Sequence, residues 1–210
     1  MKRNIWTYGG VLASFVLVAF GIVSIVVALN GRSEIRSDVK REAIVGTPDM
    51  TPKTIKAEAQ KAGLKNVSFP TCSVAGKTVD TGSEAKCFAS YMRIHTLMGT
   101  GGQTYAEMPR YATADGKGTN DPGAAQKQNG QPVDNPARNI WVTETALTTA
   151  LNTSYFAEQV SMFSLVMGIA LLLSGLGFGV LTIRLLAPAT RKEESKAKAV
   201  VPSTTPATGH

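Results

Sequence analysis

Two long stretches of this 210-residue chain carry no Asp, Glu, Lys, Arg or His: 25 positions from Ile5 to Leu29 and 24 from Val160 to Ile183. Cysteine and histidine are almost as scarce, at two each. Without an ionisable group inside either apolar run there is no proton relay or ion path within the runs themselves. The two cysteines and one of the histidines fall within Pro70 to His95, which poses the choice between a reactive or metal-binding site and a staple. A Ser/His/Asp nucleophile system would have to use His95, because His210 is the terminal residue, and no Gly-x-Ser-x-Gly turn accompanies it. There is no internal repeat.

What is present is a sharp partition. At 1.5 Å per residue an apolar helix of 24 residues reaches about 36 Å, enough to cross a hydrocarbon core of about 30 Å. Both runs are therefore read as transmembrane helices. The first follows Lys2 and Arg3, as a signal peptide would. It is longer than a secretory apolar region, and "VVALNGRSE" is a poor cleavage site, so it reads as an uncleaved anchor.

Charge sets the expected orientation. Seven of the 22 basic residues lie in the two tails, at Lys2, Arg3, Arg184, Arg191, Lys192, Lys196 and Lys198. The tails also hold Glu193 and Glu194, so five of the net +7 charges belong to them and two to the segment between the runs. Both termini are expected in the cytoplasm and the long connecting segment outside. A basic tail suits anionic inner-leaflet lipid, and no basic stripe with interleaved aromatics marks a nucleic-acid surface. The predicted organisation is a cytoplasmic N-terminus (1–4), a first span (5–29), an extracytoplasmic domain (30–159), a second span (160–186) and a disordered basic tail (187–210).

Small residues recur within the spans. Gly10, Ser14, Gly21, Ser24 and Ala28 share one stripe of the first, and Ser164, Gly168, Gly175 and Gly179 one stripe of the second. In lipid, such stripes allow helix backbones to approach closely, so these nine residues are the predicted helix-packing positions.

The connecting segment reads as mainly helical. Ser33 to Val45 continues the first helix. Thr51 caps a short helix that Pro52 opens and Gly63 stops. A third helix is expected from about Ser83 to Met98, with Phe88, Tyr91, Met92 and His95 broadly on one face. A Gly/Pro-rich loop follows from Gly99, with one hairpin signal at Asp115-Gly116. Asn135 then caps a helix that Pro136 opens and that runs into the second span. The fold class is thus mainly α: a helical membrane hairpin carrying a small, disulfide-stapled, mostly helical extracytoplasmic domain.

Phosphate-loop, dinucleotide and calcium-loop patterns all fail. Gly76-Lys77-Thr78 lacks its upstream glycine, Gly99, Gly101 and Gly102 follow a helix, and Asp115, Asn120 and Asp121 miss the calcium register. No cofactor, metal or catalytic set is predicted. Cys87 and His95, eight residues apart on one helix, would be separated by about 12 Å, too far to grip one ion. Cys72 and Cys87 in an oxidising compartment are expected to form a disulfide worth roughly 3 kcal/mol.

The stretches "TYGGVLASFVLVAFGIVSIV", "IVGTPDMTP", "PTCSVAGKTVDTGSEAKCFASYMRIH", "YAEMPRYATADGKGTNDP" and "IWVTETALTTALNTSYFAE" resemble a family of actinobacterial two-span membrane proteins. Members often carry the automatic label "aromatic ring-opening dioxygenase". That chemistry needs two histidines and a carboxylate at one iron, whereas this chain would hold one histidine on each side of the membrane. The resemblance implies membership without that activity. The expected role is that of a non-catalytic interaction or accessory subunit in an envelope membrane complex. Its partners would be lipid and other membrane or envelope proteins, or a second copy, and not nucleic acid. An extracytoplasmic sensor is the alternative, and an enzyme the remotest.

Overall fold

The computed structural model describes the backbone from residue 2 to 198 and the side chains from 8 to 184. The basic side chains of both tails except Arg184, together with Trp6, His210 and the end of the expected disordered tail, lie outside the described residues. Four helices account for most of the chain: α1 (Lys2–Arg41), α2 (Pro52–Lys61), α3 (Gly82–Gly99) and α4 (Pro136–Lys198). A two-residue antiparallel pair, β1 (Lys127–Gln128) and β2 (Gln131–Pro132), is the only sheet among the described residues. α1 and α4 are both long and apolar enough to cross a membrane. α4 continues beyond the boundary expected at residue 186, to Lys198.

The chain divides into two compact units, residues 1–29 with 162–210, and residues 30–161. In the first, the facing pairs run in opposite order along the two helices, from Gly10 with Thr182 to Gly21 with Gly168, so the helices are antiparallel. Large apolar side chains point away from the partner: Phe15 is 69% exposed, Phe163 66% and Leu173 63%.

The second unit has its own core. Ile55 and Ala59 of α2 and Ala85, Phe88, Tyr91 and Ile94 of α3 meet Val74 and Val79 from the connecting loop, with Val39 and Leu151 also in the cluster. Local signals explain the helix ends. Thr51 Oγ accepts the Thr54 N–H at 3.2 Å, and Pro52 occupies the first turn, where a missing N–H costs nothing. Gly63, at φ +74°, ends the chain's run past α2 in the left-handed region. Thr81 and Glu84 form a reciprocal capping box on α3. The Asn135 side chain accepts the Ala137 N–H at 3.1 Å to start α4.

The Gly/Pro-rich loop is more structured than its composition predicts. A single antiparallel bridge between Tyr111 and Thr119 encloses Asp115-Gly116. The two-residue strands lie farther on, around Asn129-Gly130, whose φ values of 53° and 80° are those a tight primed hairpin turn requires.

Candidate functional site

Four features of the structure have functional content. The first is the seam between α1 and α4, where backbone meets backbone. A Cβ added to Gly21 would lie 2.7 Å from the Leu172 nitrogen and 2.9 Å from the Gly168 oxygen. One added to Gly168 would lie 3.0 Å from the Gly21 oxygen, and one on Gly175 2.9 Å from the Val18 nitrogen. The Ser14 hydroxyl donates to the Gly175 carbonyl at 2.6 Å and also faces Gly179. Gly10 faces Thr182. Ala28 is buried, and Ser24 and Ser164 are half-buried. By contrast Gly9 and Gly177, off the stripe, have open space around them. Close approach at the stripe, and not glycine content as such, is what the small residues serve.

The second feature is the disulfide. Cys72 and Cys87 are bonded, with Cα atoms 6.1 Å apart. The bond ties the loop before α3 to the first turns of that helix, as the sequence predicts. One turn later Tyr91, fully buried, donates its hydroxyl to the Cys72 carbonyl at 2.6 Å. Burial, aided by the nearby Asp49 charge, pushes the Tyr91 phenol up.

The third is a charge node at Glu158, which is 5% exposed. Arg36 donates to its Oε1 at 3.0 and 3.1 Å and Arg32 at 3.2 Å, while the Gly82 N–H donates to Oε2 at 2.8 Å. Burial works against the Glu158 charge, but the bonds from Arg36, Arg32 and Gly82 outweigh it and hold the carboxyl below the usual glutamate range. Gly82 is the first residue of α3, so the carboxylate also sits at the positive end of that helix. Nothing in the sequence pairs residues 32, 36, 82 and 158, which lie on three different helices.

The fourth surrounds His95. Its Nε2 lies 2.6 Å from Asp49 Oδ2, and Glu58 completes a group whose potential ligand atoms are all within 4.8 Å of one another. Partial burial opposes the Asp49 charge, but Thr47, its own backbone N–H and His95 hold its carboxyl below the usual range. Sequence reasoning places His95 on the correct helix but misses Asp49 and Glu58. A weak signal was available, since Asp49 stands two residues before the Thr51 cap and Glu58 one turn beyond Ile55.

Elsewhere on the second unit Tyr105, Trp141, Val142, Thr145, Ala146 and Thr149 line an open apolar groove. Trp141, buried among them, donates its indole N–H to the Gln103 carbonyl at 2.8 Å. No family model matches the chain, and neither a curated protein nor a solved structure does.

Proposed function

We propose that this chain is a two-span membrane protein that acts as a non-catalytic interaction or accessory subunit in an envelope membrane complex. The observation that carries the reading is the inverted packing of α1 and α4: small residues face inward and large apolar residues outward, over helices long enough to span. Such a surface is unfavourable in water and matches lipid or other apolar helices. Membership of the actinobacterial two-span family belongs to the same proposal.

In this reading both termini are cytoplasmic and residues 30–159 lie outside. The Cys72–Cys87 disulfide supports an oxidising compartment for that segment. The apolar groove at Trp141 supports a protein contact made by it.

Gentle detergent extraction followed by affinity purification tests the role. A stoichiometric co-purifying membrane or envelope protein, or a defined homo-oligomer, is the expected result. A strictly monomeric, partner-free particle after several different extractions overturns it. Alkaline carbonate washing tests the membrane assignment separately, since an integral protein stays in the pellet.

A further inference from the structure

We propose that Asp49, Glu58 and His95 form a binding site for a divalent transition-metal ion of the zinc class. Three elements bring them together: the loop that leads into α2 supplies Asp49, α2 supplies Glu58 and α3 supplies His95. Their ligand atoms all lie within 4.8 Å of one another, with His95 Nε2 2.6 Å from Asp49 Oδ2. Donors on a tetrahedral zinc at about 2.1 Å are separated by roughly 3.4 Å, which lies between those two distances. An ion would part the closer pair and draw in the third by small side-chain rotations.

A plain His–Asp hydrogen bond accounts for two of the three groups but not for Glu58. Among the described residues Glu58 forms no ion pair and accepts no side-chain hydrogen bond, yet one of its carboxylate oxygens lies within 4.8 Å of one of Asp49. Two carboxylates side by side repel, and a dication between them turns that repulsion into attraction. The imidazole nitrogen sets the class: nitrogen donors favour zinc and its neighbours, whereas calcium and magnesium prefer oxygen.

The surroundings suit ligands held in place. His95 follows the fully buried Ile94, and Glu58 precedes the fully buried Ala59, so both backbones are anchored in the core. His95 and Asp49 are 29% and 26% exposed, which leaves a path from solvent. The site stands independently of the membrane reading.

The test uses the full-length chain in detergent with a tag free of histidine and with His210→Ala, so that His95 is the sole imidazole. After stripping with chelator, equilibrium dialysis against zinc is expected to load one ion per chain. His95→Gln and Glu58→Gln should each weaken zinc binding at least 10-fold. Zinc should raise the melting temperature of the parent and of neither variant. A hundredfold excess of calcium or magnesium should not displace it. Failure of the parent to retain zinc overturns the proposal, as does the parent's own zinc affinity in either Glu58→Gln or His95→Gln. Because Glu58 is partly exposed, the metal-free Glu58→Gln chain should melt with the parent, so its loss of zinc is not a loss of fold.

Discussion

The backbone N–H of Gly82 donates to the carboxylate of Glu158 at 2.8 Å, across 76 positions of sequence. The same carboxylate receives Arg32 and Arg36. One acidic side chain thus satisfies the start of α3 and two guanidinium groups of α1.

Removing that charge leaves the three donors one neutral carboxamide oxygen to share. Glu158→Gln is expected to cost about 2–3 kcal/mol at neutral pH, at or below the bottom of the range for breaking a buried ion pair, because both arginines are partly exposed. The pH dependence has a definite sign. The folded carboxyl titrates below the usual glutamate value of 4.5, so its contribution is full above that value and declines as pH falls through the lower folded pKa. Melting curves of the two proteins should therefore converge on acidification below about pH 4.5. A constant gap down to pH 3 would show that the charge is not what stabilises.

Gly46 is the tightest of the described glycines. A Cβ there would overlap the Val74 carbonyl, with the Val74 carbonyl carbon 2.7 Å away, while the Gly46 N–H donates to Lys77 and its carbonyl accepts from Gly76. Gly46→Ala should destabilise the second unit by about 1–3 kcal/mol, as overpacking does elsewhere. Gly99→Ala, with open space around it, is the control and should change the denaturation midpoint little.

In the helix seam, Gly168→Leu would drive a side chain into Ile25 and the Gly21 carbonyl. It should lower the melting temperature in detergent and increase protease sensitivity. Leu173→Ala, on the outward face, should do neither. Equal effects of the two would remove the argument for close backbone approach.

Reduction of Cys72–Cys87, or the double change Cys72→Ser with Cys87→Ser, is expected to cost about 3 kcal/mol for a loop of this length. Mass analysis after alkylation, with and without reductant, checks that the bond is present. Two freely alkylated thiols in the native protein would refute it.

How much of this was readable in advance depends on how far apart the interacting residues lie. Thr51-Pro52 and Asn135-Pro136 announce helix starts because a cap acts within three residues, and the structure uses both. The Thr81/Glu84 capping box is equally local and starts the helix expected from about Ser83, whereas the hairpin signal at Asp115-Gly116 drew attention from the equally local Asn129-Gly130 turn. The small-residue stripes were visible because helical periodicity is itself a statement about faces. Glu158 and its arginines, and the Asp49, Glu58 and His95 group, are different. Apart from Arg32 and Arg36, which are neighbours on α1, their members lie 9 to 126 positions apart on separate elements, and no local propensity encodes that distance.

The hydrogen bond from Tyr91 to the Cys72 carbonyl bears on how the covalent link is made. Tyr91 lies one helical turn from Cys87, so once it docks, the two sulfurs are held near each other at an effective concentration far above that of any thiol on another chain. Ring closure within the chain then outruns cross-linking between chains, and an oxidant need only seal a contact that noncovalent structure has already chosen.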